Sequence, residues 1–188
     1  DWITKNFRKS ITNILPYLIK MQYTIRQRVA PSGVTVNEGG FLMKKILFVA
    51  SEAVPFIKTG GLADVVGSLP KCFDKEYFDV RVMIPKYLCM KESWRNDMEY
   101  VNHFYMDYMG QSRYVGILQY VYEGITFYFI DNEGYFNGPK PYGDWYCDLE
   151  KFCFFSRAAL SALPVIGFQP DVVHCHDWQT ALIPVLLK

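Results

Sequence analysis

The chain has 188 residues, of which 51% are hydrophobic and 21% charged, so it is long enough for one globular domain with an appendage. Its formal net charge of +1 gives no indication of a nucleic-acid partner, and no apolar run reaches the roughly 18–20 residues that a membrane span needs. The odd count of five cysteines, without a CxxC pair, argues against a disulfide framework or a zinc site and favours a reducing compartment such as the cytoplasm.

The first 42 residues differ from the rest of the chain in charge. Residues 1–42 hold six Lys or Arg and two acidic residues, whereas residues 43–188 carry a net charge of −3. Apolar residues from Ile11 to Val29 follow an approximate helical stripe, which includes Ile25. We therefore expect an N-terminal extension or appended segment over 1–42 and the domain over 43–188. If the basic segment were a transit segment, the location would be a plastid instead of the cytoplasm.

The domain begins with an alternation of strand and helix patterns. An apolar run over 45–51 predicts a strand, helical spacing of apolar residues over 61–73 predicts a helix, and a second apolar run over 79–85 predicts another strand. A strand–helix–strand unit places its two strands parallel. The sequence therefore predicts an α/β domain with a parallel sheet.

The second half adds a hairpin and then returns to the α/β pattern. Residues 113–131 hold two β-rich runs around Glu123 and Gly124, which predicts a β-hairpin insertion. Helical spacing over 149–167 is followed, within 170–188, by a strand that ends in histidines and by the onset of a helix.

Two strands of the predicted sheet end in polar clusters. The first strand leads into the loop 58–64, and the later one leads into 174–178. Because ligands of open parallel sheets bind beyond the carboxyl ends of the strands, both clusters are expected to line one cleft.

The first cluster lies in the stretch FIKTGGLADVVGSLP. Gly60 and Gly61 permit positive φ and a close approach of the backbone to a ligand, and the N–H groups of the following helix start favour an anion such as a diphosphate. Lys58, next to Thr59, adds a positive charge, and Asp64 falls in the first helical turn, where a carboxylate is favoured. The glycine spacing fits neither a P-loop nor GxGxxG. The alternative is a tight strand–helix turn with a surface lysine and a helix-end carboxylate.

The second cluster is the stretch HCHDW. His174 and His176 point the same way on an extended strand, but no third ligand stands out, so no metal site is predicted. His176 and Asp177 at the strand end could bind sugar hydroxyls, and Trp178 offers a ring face for stacking. We interpret His174 as a packed core histidine and His176 as the functional one. Exposed tyrosines within 128–146 are a further candidate carbohydrate surface.

Five segments together resemble glycosyltransferase family 5, the family of bacterial glycogen synthases and plant starch synthases. In chain order they are KILFVASEAVPFIKTGGLADVVGSLP, DVRVMIPKY, FIDNEGYF, FFSRAAL and PDVVHCHDWQTALIP. The resemblance runs from about Met43 to Lys188. It implies the Rossmann-like N-terminal domain of a two-domain GT-B glycosyltransferase, truncated at its C-terminal end and carrying a β-hairpin insertion.

The resemblance also implies an activity. Members of the family transfer glucose from ADP-glucose to the non-reducing 4-hydroxyl of an α-1,4-glucan, with retention of configuration and without a metal or other cofactor. The N-terminal domain supplies the acceptor side and the glycine-rich loop, and the second domain holds most of the nucleotide-sugar contacts. A chain that stops at Lys188 would lack that second domain, so we expect it to be inactive by itself. The expected partners are ADP-glucose and the glucan, and the sequence does not indicate an oligomeric state.

Several residues take their roles from the resemblance. Lys58 matches a lysine implicated in ADP-glucose binding. Gly60 and Gly61 match glycines whose backbone approaches the diphosphate. Asp64 matches the acid of the glycine motif, and His176 matches the histidine that contacts the transferred glucose.

One position departs from the family pattern. Relatives carry an aspartate four residues before the basic residue that aligns with Lys151, where this chain has Cys147 followed by Asp148. Either a local shift lets Asp148 take the catalytic role, or that acidic role is weakened.

Two other functions fit parts of the sequence. A non-catalytic glucan-binding or regulatory protein could keep the acceptor half, although the donor lysine and glycines argue against it. A dinucleotide-binding Rossmann domain predicts an acid at the end of the second strand, where this chain has Pro85 and Lys86.

Overall fold

A computed structural model describes residues 24–26 and 42–188, and the described strands form one seven-stranded mixed sheet. The strands are β1 (Thr24–Arg26), β2 (Lys44–Val49), β3 (Phe78–Pro85), β4 (Glu99–Tyr108), β5 (Gln111–Tyr122), β6 (Ile125–Asp131) and β7 (Val172–Cys175). The helices are α1 (Gly61–Ser68), α2 (Glu92–Asn96), α3 (Glu133–Phe136), α4 (Trp145–Val165) and α5 (Leu182–Leu186), with 3₁₀ turns at Leu69–Cys72 and Trp178–Thr180. Across the sheet the order is β1-β7-β2-β3-β6-β5-β4.

The centre of the sheet is parallel, as predicted. β2 pairs in parallel with β3 on one side and with β7 on the other, and β6 continues the parallel set next to β3. Leu47, Phe48 and Val49 on β2 are fully buried, because a central parallel strand is covered on both faces. The strand–helix–strand unit β2–α1–β3 and the α/β class are therefore confirmed.

The predicted hairpin is β5–β6, and it belongs to a larger antiparallel arm. Glu123 and Gly124 both have positive φ, 50° and 75°, as a two-residue turn between twisted strands requires. β4 extends this arm at the sheet edge by pairing antiparallel with β5, and the sequence analysis did not predict it. Its inner residues Met106 and Tyr108 are buried, while its exposed outer face carries polar residues that obscure the apolar pattern.

The long helix α4 starts earlier than predicted, at Trp145 instead of 149. Asp144 caps it by accepting hydrogen bonds from the N–H groups of Tyr146 and Cys147 at 3.0 and 3.4 Å. The helix predicted after the second polar cluster is split into a 3₁₀ turn and α5, and both pieces pack against α4. None of the helices in the described ranges is long and apolar enough to cross a membrane.

The predicted helical stripe between Ile11 and Val29 lies mostly outside the described residues. Its described part is the strand β1, which pairs antiparallel with β7, so the helical interpretation is wrong at Ile25. Unpaired backbone groups at the edge of β7 can accept another strand, and this pairing explains the extended conformation. The division of the chain after residue 42 stays a prediction.

Candidate functional site

A cavity of about 390 Å³ opens at the carboxyl ends of β2 and β7. Its lining consists of Glu52, Gly60, Gly61, Leu62, Tyr142, Asp148, Asp177, Trp178 and Gln179. Residues of both predicted clusters thus meet at one cavity, because β2 and β7 are neighbouring parallel strands that end at the same sheet edge. Lys58, Thr59, Asp64 and His176, which were also predicted for the site, are not part of this lining.

Gly60 and Gly61 lead into α1 without unusual backbone angles. Gly60 has φ −151°, an extended conformation, and neither glycine adopts the positive φ that this residue type permits. A Cβ on Gly61 would meet no atom within 4 Å, and one on Gly60 would have Glu52 Oε1 as its nearest neighbour at 3.8 Å. A ligand can therefore approach the backbone closely in the open space in front of both residues.

Glu52, which the sequence analysis missed, holds the glycine loop in place. Its carboxylate is buried and accepts hydrogen bonds from the backbone N–H and from the hydroxyl of Thr59, the latter at 2.7 Å. Thr59 thus uses its hydroxyl to fix the loop. An acidic residue directly after a buried strand, within VASEAVP, was the feature that could have revealed this role, since buried carboxylates are rare unless paired.

Lys58 and Asp64 form an ion pair on the surface of the loop. Lys58 Nζ donates to both carboxylate oxygens of Asp64 at 2.7 Å, and both side chains are about half exposed to solvent. Exposed pairs of this kind stabilise a fold by only about 0–1 kcal/mol. Lys58 can therefore exchange Asp64 for an anionic ligand at little cost to the fold.

His176 is packed inside the domain, next to His174. The two imidazole rings are 4.3 Å apart, and each contacts the ring of Phe48, at 5.3 Å for His176 and 4.7 Å for His174. Burial and the neighbouring His174 lower the pKa of His176 to about 3, so its ring is neutral at physiological pH. Its Nε2 atom is buried and has no hydrogen-bond partner among the residues that the structure describes.

The two histidines do not form part of a larger metal-ligating group. In the ranges that the structure describes, no cluster of three or more His, Cys, Asp or Glu side chains could hold a metal ion. The unpaired Nε2 of His176 is instead a buried polar atom of the kind that costs about 1–3 kcal/mol when it lacks a partner.

Asp177 and Trp178 form the far wall of the cavity. Asp177 has φ 61°, which is uncommon for a residue other than glycine, and its carboxylate accepts a hydrogen bond from the N–H of Trp178 at 2.7 Å. The Trp178 ring lies 5.1 Å from the ring of Trp145 and 5.3 Å from that of Phe152, both on α4. The turn after β7 therefore exposes a carboxylate beside a half-buried indole, as a sugar-binding surface requires.

Asp148, and not Cys147, is the residue of the α4 start that reaches the cavity. Asp148 is buried, lies 2.6 Å from Lys151 Nζ, and accepts a hydrogen bond from the N–H of Gly143 at 2.8 Å. Lys151 is one helical turn away and also donates to the carbonyl of Pro141. Cys147 lines only an adjoining cavity of about 550 Å³, which shares Tyr142 and Asp148 with the first. Asp148 therefore reaches the cavity, as the hypothesis of a local shift requires. Its catalytic role stays a prediction.

Tyr142 is a second cavity residue that the sequence analysis missed. Its hydroxyl lies 2.7 Å from Ser51 Oγ, and burial raises its pKa to about 12, so it stays a neutral hydrogen-bonding group. It comes from the aromatic, turn-rich stretch 132–146, where composition gave no means of separating it from the other tyrosines.

These features define a class of protein. A parallel sheet of Rossmann-like type, with a glycine loop and sugar-compatible side chains at its strand ends, is the N-terminal domain of a GT-B glycosyltransferase. The family model of the starch synthase catalytic domain matches residues 45–188, and the chain belongs to this family, glycosyltransferase family 5.

Curated relatives and a solved structure agree with the family. The chain is 64% identical over 146 residues to the glycogen synthase of Lachnospira eligens and 61% identical over 145 residues to that of Lachnoclostridium phytofermentans. These matches cover 78% and 77% of this chain, which spans 30% of the length of each relative. The catalytic domain of starch synthase IV from Arabidopsis thaliana bound to ADP and acarbose is similar with a TM-score of 0.68 and 33% identity, over 75% of this chain and 29% of that one.

Proposed function

We propose that this chain supplies the N-terminal half of the active site of a glycogen synthase. The proposed reaction transfers glucose from ADP-glucose to the non-reducing 4-hydroxyl of an α-1,4-glucan, with retention and without a metal or other cofactor. The observation that carries the proposal is the single cavity shared by the glycine loop and the turn after β7. The glycogen synthases among its relatives and the ADP-bound starch synthase support the choice of donor and acceptor.

The glycine loop is proposed to receive the diphosphate of the donor. Gly60 and Gly61 leave space for phosphate oxygens beside the first N–H groups of α1, which favour negative charge. Lys58 would leave Asp64 and pair with the diphosphate, because their exposed ion pair is weak. Positive charge at this point stabilises the charge that develops on the departing ADP.

The turn after β7 is proposed to bind the glucose units. The Asp177 carboxylate can accept hydrogen bonds from sugar hydroxyls, and the indole of Trp178 can pack against a sugar ring. His176 has an unpaired, neutral Nε2, which a sugar hydroxyl could satisfy after a small local rearrangement. Asp148, which Lys151 holds in the cavity wall, is proposed to take the catalytic acidic role.

A chimeric enzyme tests the proposal directly. Residues 45–188 replace the matching segment of the Lachnospira eligens glycogen synthase, and transfer of labelled glucose from ADP-glucose to glycogen is measured. We expect a kcat within roughly tenfold of the parent enzyme, a difference of about 1.4 kcal/mol in the activation barrier. A folded chimera that binds glycogen but transfers no glucose would support the non-catalytic glucan-binding alternative and reject the proposal.

A further inference from the structure

The outer face of the β4–β5 pair, at the opposite edge of the sheet from β1, carries a group of aromatic side chains. We call Tyr100, His103, Tyr105 and Tyr114 the aromatic platform. Tyr105 and Tyr114 are directly opposite each other on the two strands, and their ring centroids are 5.9 Å apart at an interplanar angle of 72°. The His103 and Tyr114 rings are 5.6 Å apart and nearly parallel, at 27°.

Gly116 allows the Tyr114 ring to lie against the sheet. Gly116 is opposite His103 on β4 and Asp131 on β6. A Cβ at Gly116 would come within 2.8 Å of the Tyr114 hydroxyl and 3.0 Å of its ring. The missing side chain therefore creates the space that the Tyr114 ring fills, and the result is a flat surface of stacked rings.

The platform is exposed, although the opposite face of the same strands is well packed. Tyr105 is 66% exposed and Tyr100 is 55% exposed. On the other face, Met106 and Tyr108 are buried, and the Tyr108 hydroxyl donates to the carbonyl of Glu150 on α4. The core is thus complete without the platform, and its rings are available to a ligand on a rigid support.

The platform contains no carboxylate, ammonium or guanidinium group, and it offers hydrogen-bonding groups. The Tyr100 hydroxyl lies 2.5 Å from His103 Nδ1. Burial raises the pKa of Tyr114, so its hydroxyl stays neutral. The carboxylate of Asp131, beside Gly116, is paired with Lys86 at 3.3 Å. A neutral ligand with both apolar faces and hydroxyl groups fits this surface better than a charged one.

We propose that the aromatic platform is a second binding site for an α-1,4-glucan, separate from the cavity. Glucose rings present C–H faces that pack on aromatic rings and hydroxyls that pair with phenol and imidazole groups. The choice of ligand rests on the proposed function, because a glucan acceptor is a polymer and can occupy two sites at once. Each additional site on a polymer raises the effective concentration at the other without any new contact in the cavity.

Binding of the 188-residue chain to glycogen tests the platform by itself. Retardation of the chain is measured in native gels that contain glycogen, for the wild type, Tyr105→Ala, Tyr114→Ala and the double variant. Tyr77→Ala is the matched control, since Tyr77 is also exposed but precedes β3 outside the platform. We expect at least fivefold weaker retardation for the double variant and an unchanged value for the control, with Tyr114→Phe losing less than Tyr114→Ala.

Two results would overturn the proposal. One is a wild-type chain that glycogen does not retard, and the other is a folded double variant, checked by circular dichroism, that glycogen retards as strongly as the wild type. Sedimentation of the same proteins tests whether a second copy of the chain binds the platform instead. If the tyrosine substitutions abolish self-association and leave glycogen binding intact, the platform is an interface with a second copy of the chain.

The chimera separates failure of the platform from failure of the proposed function. The ratio of the KM for glycogen to the KM for maltotriose is compared with and without the double substitution. Maltotriose is too short to occupy the cavity and a distant surface together, so the ratio is expected to rise at least threefold. An unchanged ratio counts against the platform, whereas a chimera that uses neither acceptor counts against the proposed function alone.

Discussion

The parallel centre of the sheet and the antiparallel arm differ in how closely their backbones are packed, and one glycine in each region shows the difference. A Cβ at Gly67 on α1 would lie 2.3 Å from Val54 Cγ2 and 2.6 Å from the Val54 carbonyl oxygen. A Cβ at Gly116 on β5 would lie 2.8 Å from the Tyr114 hydroxyl, the far end of a side chain, and 3.1 Å from Asp131 Cβ, a milder contact. In the parallel centre, the backbone of α1 packs directly against the backbone at Val54. The arm instead has one solvent-exposed face, which is available to bind a ligand.

The largest effect is expected from Gly67→Ala. The new methyl group would collide with backbone that has no room to move, so the free energy of unfolding should fall by about 3 kcal/mol. Urea denaturation of the 188-residue chain measures the loss. Gly61→Ala in the same helix is the control, since its methyl group would meet no atom within 4 Å. Equal stability of the two variants would contradict the rigid contact between α1 and the loop before it.

The next largest effect is expected from Lys58→Ala, on the KM for the donor. In the chimera the KM for ADP-glucose should rise about tenfold, or about 1.4 kcal/mol, because the diphosphate loses its positive partner. Lys71→Ala is the matched control: Lys71 lies within the transplanted segment, is partly exposed and pairs with Glu123, outside the cavity lining. Unchanged kcat and KM in Lys58→Ala would show that the lysine has only its surface ion pair with Asp64.

A smaller effect concerns pH and distinguishes the histidine pair from the arm. The pKa of His176 is lowered from 6.5 to about 3 in the folded state, and that of His174 is also lowered. Below pH 6.5 the unfolded chain therefore binds more protons, and stability should fall by at most about 1.4 kcal/mol per pH unit for each histidine. His176→Phe should have a shallower pH dependence between pH 6.5 and 5.5, measured by thermal unfolding. The same slope in both proteins would mean that His176 is not buried as a neutral ring.

The smallest change in stability is expected from Gly116→Ala. The Tyr114 side chain can swing away from a new methyl group, so the loss should stay below about 1 kcal/mol. Glycogen retardation should nevertheless weaken, because the displaced ring no longer lies flat. A loss of stability as large as that of Gly67→Ala would show that the arm is packed as rigidly as the parallel centre.

The two regions also differ in how well the sequence predicts them. The central strands are apolar along their length because both faces are covered, and β2 and β3 could be located within one or two residues. β4 was not predicted because three exposed polar residues, Asn102, His103 and Asp107, interrupt its apolar residues. An edge strand of this kind shows its pattern only once its partner is known.

The position of the cavity could be predicted from strand order and family resemblance, but the side-chain contacts around it could not. Neither source indicates that Glu52 binds Thr59, that Lys58 pairs with Asp64, or that Phe48 covers both histidines. The side-chain geometry of these contacts depends on the finished packing, which neither source describes. The Cys147 question shows the same limit, because only the helical phase of α4 reveals that Asp148 faces Lys151 and the cavity.

The hydrogen bonds between Glu52 and Thr59 have a consequence for how a donor would bind. Because a buried carboxylate already fixes the loop, the conformational entropy of the loop is lost when the domain folds and not when a ligand arrives. Association with a preformed loop loses less affinity to ordering than association with a mobile one. Glu52 therefore makes the loop a rigid receptor before any ligand is near.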